Sequence, residues 1–184
     1  MTDENAAEGE RAEACAPRPA LDITASDVWS PPDAAGRLAI LRRTRVVAMV
    51  GASPNPSRAS YFVATYLLNS SPYRVYFVNP RAREILGQPV YPTLADLPAK
   101  PDLVDVFRRH ADLPQVLDET MAVGGDTLWL QLGSHHQEVA ERGAAQGLTV
   151  VTNRCLKIEH ARFHGGLHLA GFDTGVITSR RRER

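Results

Sequence analysis

The sequence predicts an α/β protein in which a doubly wound parallel sheet of about five strands lies between two layers of helices. Short, wholly apolar runs alternate along the chain with amphipathic segments, and a polar or glycine-containing turn follows each apolar run. Continuous apolar runs are typical of parallel strands buried on both faces, because a strand with one solvated face alternates apolar and polar residues. Strands that alternate with helices form a parallel sheet through right-handed crossover connections.

The first half of the chain supplies a leading helix and the first two strands. Pro31-Pro32-Asp33 is typical of a helix start, and the run from Val46 to Val50 is apolar throughout. Apolar residues then recur at helical spacing, at Phe62, Val63, Tyr66 and Leu67. We therefore predict a helix over 33–43, a strand over 46–50, a helix over 59–69 and a strand over 74–78, which Asn79-Pro80 ends.

The second half repeats the alternation. A short helix over 94–97 ends at Pro98, and glycines close the two longer helices, at Gly124-Gly125 and at Gly147. The remaining predicted elements are a strand over 103–107, a helix over 113–123, a strand over 127–132, a helix over 135–146, a strand over 148–152 and a short helix that contains Lys157.

The composition narrows the class of protein. Lysine plus arginine and aspartate plus glutamate both number 21 among 184 residues, so the net charge is zero and no global field favours nucleic acid or an anionic membrane. There is no apolar run of membrane-spanning length and no secretory signal pattern. Two cysteines make no disulfide framework. We expect a cytoplasmic protein with a disordered tail over 1–20, one domain over 33–162 and an extension over 163–184.

The residues that follow the predicted strands point to one binding site. Because the carboxyl ends of parallel strands meet at one edge of the sheet, ligands of such sheets bind there, near the switch in strand order. None of the residues directly after the strands is acidic. They are polar, cationic or small: Gly51, Ala52, Ser53, Asn55, Ser57, Arg58 and Ser60 after the first strand, Asn79, Pro80 and Arg81 after the second, Arg108 and Arg109 after the third, Gly133 and Ser134 after the fourth, and Asn153, Arg154 and Cys155 after the fifth.

The loop from Gly51 to Ser60 has the chemistry of a phosphate site. A glycine permits close approach of a ligand to the backbone, hydroxyl groups donate to phosphate oxygens, and the following helix offers free amides. The loop lacks the G-x-G-x-x-G spacing of a dinucleotide site. The alternative is an ordinary strand-to-helix turn in which Ser57 or Ser60 caps the helix.

The residues at the end of the second strand indicate which class of nucleotide ligand the site would bind. A NAD site has an acidic residue there to hold the ribose hydroxyls, whereas this chain has Asn79-Pro80-Arg81. A neutral amide and a guanidinium suit a ribose that carries a phosphate, as in NADP or coenzyme A. A simple turn with a solvated Arg81 is an equally good interpretation of this residue alone.

Other candidates have plain structural alternatives. Phe107 and Arg108 lie where a base or a phosphate would bind, although a core phenylalanine is the commoner case and Asp105 is an alternative partner for Arg108. Gln131 needs a partner within its apolar strand, whether backbone, water or ligand. His135-His136 suits a solvated helix start better than a metal site, and Cys155 suits a buried structural cysteine better than a nucleophile. We predict no metal and no catalytic set.

Six short segments together resemble the coenzyme A-binding protein family, whose domain is similar to the N-terminal domain of the succinyl-CoA synthetase alpha subunit. The resemblance covers about 46–159 and is carried by Gly51-Ala-Ser-Pro-Asn-Pro-Ser-Arg-Ala-Ser60, Val78-Asn-Pro-Arg81, Gly87-Gln-Pro-Val-Tyr-Pro-Thr-Leu94, Asp105-Val-Phe-Arg108, Trp129-Leu-Gln-Leu-Gly133 and Asn153-Arg-Cys-Leu-Lys-Ile-Glu159.

The resemblance implies a Rossmann-type domain that binds coenzyme A or acyl-CoA. The diphosphate is then expected on the loop 51–60, the ribose and its 3′-phosphate near Asn79 and Arg81, and the nucleotide near Phe107-Arg108. The chain ends before the synthetase's phosphohistidine domain, which favours a non-catalytic binding module. The alternatives are an NADP-dependent oxidoreductase and the coenzyme A-binding subunit of a larger acyl-CoA enzyme, and a homo-oligomer is possible.

Overall fold

The computed structural model describes residues 29–164, in which five α-helices surround a seven-stranded sheet. The helices are α1 (Ala34–Arg43), α2 (Ala59–Ser70), α3 (Leu113–Ala122), α4 (Gln137–Ala145) and α5 (Leu156–His164). The strands are β1 (Val46–Val50), β2 (Arg74–Val78), β3 (Glu84–Ile85), β4 (Gln88–Tyr91), β5 (Leu103–Val106), β6 (Thr127–Leu130) and β7 (Thr149–Val151). Short 3-10 helices span Leu94–Asp96 and His110–Asp112. The predicted α/β class is confirmed.

The strand order is β3-β4-β2-β1-β5-β6-β7, with every pairing parallel except that of β3 with β4. The chain therefore builds the sheet outward from β1 through β2 and β4, then returns to place β5 on the other side of β1. The switch in strand order falls between β1 and β5, where Val50 pairs with Val106. Ligands of such sheets bind in the crevice at this point.

The hairpin of β3 and β4 is absent from the prediction, which has five strands. Leu86 and Gly87 join the two strands with positive φ angles of 52° and 73°, as a two-residue hairpin turn requires. Two residue pairs and a 3.0 Å hydrogen bond from the Val90 N–H to the Arg83 carbonyl hold the hairpin together, and Pro89 is one of the paired residues. A sequence pattern this short does not predict a strand. Proline also argues against one, because it donates no hydrogen bond to a sheet.

Two apolar clusters cover the two faces of the sheet and form the core. One packs β-sheet residues such as Phe77 and Trp129 against α1, α2 and α5, and the other packs Val104 and Leu128 against α3 and α4. Side chains of alternate strand residues point to opposite faces. Trp129 is fully buried, and its indole N–H donates to the Arg154 carbonyl.

Several ends differ from the sequence prediction. Asp33 caps α1 by accepting a 2.7 Å hydrogen bond from the Gly36 N–H, as its position predicted. The strand β6 ends at Leu130 rather than at residue 132, and α4 begins at Gln137 rather than at residue 135, because His136 serves as its cap. Cys15, the predicted disordered tail over 1–20 and nearly all of the extension over 163–184 lie outside the described residues. None of the helices in residues 29–164 has the length and hydrophobicity that crossing a bilayer requires.

Candidate functional site

A cavity of about 760 Å³ opens at the carboxyl ends of β1, β5 and β6, beside the switch in strand order. We call it the switch-point cavity. Its lining comes from the loop after β1, the first turns of α2 and α5, and the turns after β5 and β6: Gly51, Ser53, Arg58, Ala59, Ser60, Phe62, Val63, Val106, Phe107, Arg108, His110, Gln131, Leu132, Gly133, Ser134, Cys155, Lys157 and Ile158. Cavities of this size hold cofactor-sized ligands.

Side chains of the loop after β1 organise that loop. The Ser60 hydroxyl accepts a hydrogen bond from the Ser53 N–H at 3.1 Å, and the Ser53 hydroxyl accepts one from the Asn55 N–H at 3.2 Å. The Asn55 side chain in turn accepts from the Ser57 N–H at 2.9 Å. Each of the two serine hydroxyls acts only as an acceptor in these bonds, so its own O–H proton is available to a ligand.

The first turn of α2 offers main-chain donors to the cavity. Its cap residue is Arg58, which makes no side-chain capping bond, so neither Ser57 nor Ser60 caps the helix. Among residues 29–164 the N–H groups of Ala59 and Ser60 donate to no other group. Unpaired N–H groups at a helix start carry partial positive charge and bind anions.

Gly51 allows β1 and β5 to approach each other at the cavity. Its φ is 82°, and a Cβ atom there would lie 2.6 Å from the Phe107 carbonyl oxygen and 2.8 Å from the Arg108 side chain. Both the backbone angle and the space therefore require glycine.

The side chain of Asn79 ties the end of β2 to the loop after β1. Its Nδ2 donates to the Ala52 carbonyl at 2.6 Å, and its Oδ1 accepts from the Arg81 N–H at 2.9 Å. Both ends of the amide are thus used within the protein. The exposed Arg81 lies two residues further along the chain and does not line the switch-point cavity.

Three cationic side chains line the switch-point cavity: Arg58, Arg108 and Lys157. Arg108 lies 3.6 Å from Asp112, and not against Asp105 as one sequence alternative suggested. The Lys157 ammonium lies 4.3 Å from the centroid of the Phe62 ring, which is 61% exposed although its spacing along α2 suggested a core residue. The cavity therefore combines cationic groups with an exposed aromatic face at one side.

A buried polar pair lies at the end of β5 and β6. The Gln131 Nε2 donates to Asp105 Oδ1 at 2.6 Å, while Asp105 Oδ2 has no partner among the described residues. Burial raises the pKa of Asp105 to about 8, against the opposing effect of the hydrogen bond from Gln131. Burial also raises the pKa of the Cys155 thiol, so this cysteine is protonated at neutral pH.

The structure brings about half of the predicted site residues to the switch-point cavity: Gly51, Ser53, Arg58, Ser60, Phe107, Arg108, Gln131, Gly133, Ser134 and Cys155. Pro80 lines a smaller cavity of about 170 Å³, which Gly51 and Arg108 also line. The remaining predicted residues line neither cavity: Ala52, Asn55, Ser57, Asn79, Arg81, Arg109, Asn153 and Arg154.

Sequence reasoning missed the contribution of α5 and the carboxyl group beneath the site. The sequence predicted Lys157 only as part of a short helix and gave Ile158 no role, although both follow the fifth strand as the other site segments follow theirs. Asp105 escaped notice as a site residue because it precedes the end of its strand. A lone acid within an apolar strand was the available signal.

The adjacent histidines form contacts with other side chains. His136 caps α4 by accepting a 3.4 Å bond from the Val139 N–H, and its ring stacks on His110 with centroids 4.3 Å apart. Burial, with a smaller effect of His110, lowers the pKa of His136. Residues 29–164 contain no group of three histidine, cysteine, aspartate or glutamate side chains that would hold a metal ion.

The sheet order and the cavity at its switch point define a Rossmann-like α/β domain. The family model described as a CoA binding domain matches residues 45–161, and the chain belongs to this family.

Two relatives and one solved structure are similar to this chain. The uncharacterized protein YneT of Bacillus subtilis is 33% identical over 122 residues, which cover 66% of this chain and 90% of that protein. The ADP-forming acetate–CoA ligase I of Archaeoglobus fulgidus is 29% identical over 122 residues, 61% of this chain but 18% of the ligase. A hypothetical protein from Pyrococcus horikoshii OT3 has a TM-score of 0.69 and 33% identity, over 73% of this chain and 96% of that chain.

Proposed function

We propose that the protein binds coenzyme A, free or acylated, in the switch-point cavity. The observation that carries the proposal is the pair of free N–H groups at Ala59 and Ser60, two residues that line this cavity beside Arg58. Helix amides and a guanidinium match the charge and the oxygen acceptors of a diphosphate. The family match spans all of these residues.

The adenosine end of the ligand is assigned to the β2 side of the switch point. The smaller cavity there shares two lining residues, Gly51 and Arg108, with the switch-point cavity, so the two cavities are neighbours. Pro80 lies in its wall, and Arg81 follows at the surface. A guanidinium in this place suits the 3′-phosphate that coenzyme A carries on its ribose.

Titration calorimetry with three ligands tests the proposal. Coenzyme A is expected to bind, dephospho-coenzyme A to bind more weakly through loss of the Arg81 contact, and NADP to bind more weakly than coenzyme A. Equal affinity for the first two ligands would remove the role of Arg81. Tight binding of NADP without binding of coenzyme A would favour an NADP-dependent oxidoreductase instead.

A second candidate function is that of a coenzyme A-binding subunit in a larger acyl-CoA enzyme. The match to only 18% of the A. fulgidus ligase supports it, because that protein joins a similar segment to much additional chain. Affinity purification of the full chain from its own cells distinguishes the two. A stoichiometric complex with an acyl-CoA enzyme supports the subunit, and recovery of this chain without such a partner supports a separate binding protein.

A further inference from the structure

Asp105 carries a carboxyl group into the core of the sheet, where its burial is expected to lower the stability of the fold. Its side chain is fully buried, and within residues 29–164 the Oδ2 atom has no hydrogen-bond partner. Burial of an unpartnered polar oxygen destabilises a fold, and an apolar residue of the same size avoids that cost. Its one hydrogen bond joins it to Gln131, which lines the switch-point cavity.

This bond sets the direction of the Gln131 amide. Because Nε2 donates to Asp105 at 2.6 Å, the Oε1 atom at the other side of the amide is left for the cavity. Gln131 is 9% exposed, and its Oε1 accepts no hydrogen bond from the described residues. Unlike Asp105 Oδ2, this oxygen is not enclosed by protein atoms. Gln131 Oε1 is therefore a hydrogen-bond acceptor of fixed direction at the cavity.

The strand order gives the place of this acceptor along the ligand. The proposed diphosphate site follows β1, the adenosine side lies toward β2, and Gln131 follows β6 on the opposite side. Neighbouring strands are about 4.8 Å apart, so β6 lies about 10 Å from β1. A ligand that crosses the edge in this direction brings its pantetheine arm, which contains amide N–H donors, over Gln131.

We propose that Asp105 is a positioning residue that orients Gln131 to accept a hydrogen bond from an amide N–H of the pantetheine arm. The inference rests on the proposed function, because it takes the ligand to be coenzyme A. It assigns recognition of the arm to a pair of residues separate from the groups that hold the phosphates.

Calorimetry with coenzyme A and with adenosine 3′,5′-bisphosphate, which lacks the arm, tests the inference. The variant Asp105→Leu is expected to weaken binding of coenzyme A about five- to tenfold, the effect of losing one hydrogen bond, and to leave binding of the bisphosphate unchanged. Asp105→Asn keeps an acceptor for Gln131 and is expected to restore most of the affinity. A merely structural role would lower the affinity for both ligands together.

A double-mutant comparison keeps the test decisive if the single variant folds poorly. Because Asp105 acts through Gln131, the variant Asp105→Leu/Gln131→Leu is expected to bind coenzyme A as weakly as Gln131→Leu does. Wild-type affinity of Asp105→Leu for coenzyme A, or equal losses for both ligands, would overturn the inference. If the wild-type protein binds coenzyme A no more tightly than the bisphosphate, the arm adds no affinity. The inference then fails, while nucleotide binding stands. Binding of neither ligand defeats the proposed function itself.

Discussion

The Asn79 side chain donates a 2.6 Å hydrogen bond to the Ala52 carbonyl, and so joins the carboxyl ends of β2 and β1. Ala52 is buried directly after Gly51, at the start of the loop that leads to α2. Asn79 therefore acts on the candidate phosphate site through the backbone, without lining the switch-point cavity.

Replacement of Asn79 is expected to weaken both the fold and ligand binding. Asn79→Ala loses two side-chain hydrogen bonds and is expected to cost about 1–3 kcal/mol in the free energy of unfolding. Asn79→Asp also turns a charged oxygen toward the Ala52 carbonyl and places negative charge beside a polyanionic ligand, so its loss of coenzyme A affinity is expected to be larger. Urea denaturation and calorimetry measure the two effects.

The matched control for this change is Asn69→Ala. Asn69 is exposed on α2 and donates one 2.8 Å bond to the Thr65 carbonyl, away from the site. It is expected to leave coenzyme A affinity unchanged. Equal losses at positions 69 and 79 would contradict the proposed connection between β2 and the loop.

Gly51→Ala is expected to be more damaging than Gly147→Ala. Both glycines have φ near 80°, which costs an alanine about 1–3 kcal/mol, but a Cβ at Gly51 also lies 2.6 Å from the Phe107 carbonyl oxygen. A Cβ at Gly147 has no atom within 4 Å. Thermal unfolding of the two variants separates strain from steric conflict. Equal stabilities would show that β1 and β5 separate at no cost.

Arg58→Ala is expected to lower coenzyme A affinity and to reduce its dependence on salt. The guanidinium lies at the cavity on the cap of α2, where added salt screens its attraction for a diphosphate. Arg74→Ala is the control, since Arg74 is an exposed arginine at the opposite end of β2. Calorimetry at two salt concentrations gives the salt dependence of coenzyme A affinity for each variant. The same loss in the two variants would indicate a general effect of net charge.

Glu159→Gln is expected to destabilise the fold by about 3–5 kcal/mol, because it leaves the buried Arg37 guanidinium without its carboxylate. The two side chains join α1 to α5 at 2.7 Å and are almost completely buried. Asp118→Asn breaks the exposed pair with Arg142 and is expected to cost at most about 1 kcal/mol. Urea denaturation of both variants at one pH measures the difference, and equal costs would contradict a buried pair.

Stability is expected to fall as the pH rises from about 4 to about 8 through the titration of Asp105. Burial raises the pKa of this group from 3.8 to about 8, so over that interval the folded protein retains a proton that the unfolded chain releases. The loss is on the order of a few kcal/mol, since each unit of pKa shift corresponds to about 1.4 kcal/mol. Urea denaturation across this range should show a flatter profile for Asp105→Asn. An unchanged profile would mean that Asp105 titrates normally.

The sequence predicted the alternation of elements because the apolar pattern records burial on both faces of the central strands. It predicted the site edge for the same reason, since polar side chains after a buried strand indicate a ligand or a turn. It failed at Glu84–Ile85, where two residues carry too little pattern to mark a strand. It also failed at Asp105, whose hydrogen-bond partner Gln131 lies 26 positions away in the sequence.

The two edges of the sheet limit how copies of the protein associate. The edge strands β3 and β7 have only two and three residues. So short a row of backbone groups is a poor template for strand addition. Self-association by extending the sheet is therefore disfavoured, and helix surfaces are the better candidates for contacts between subunits.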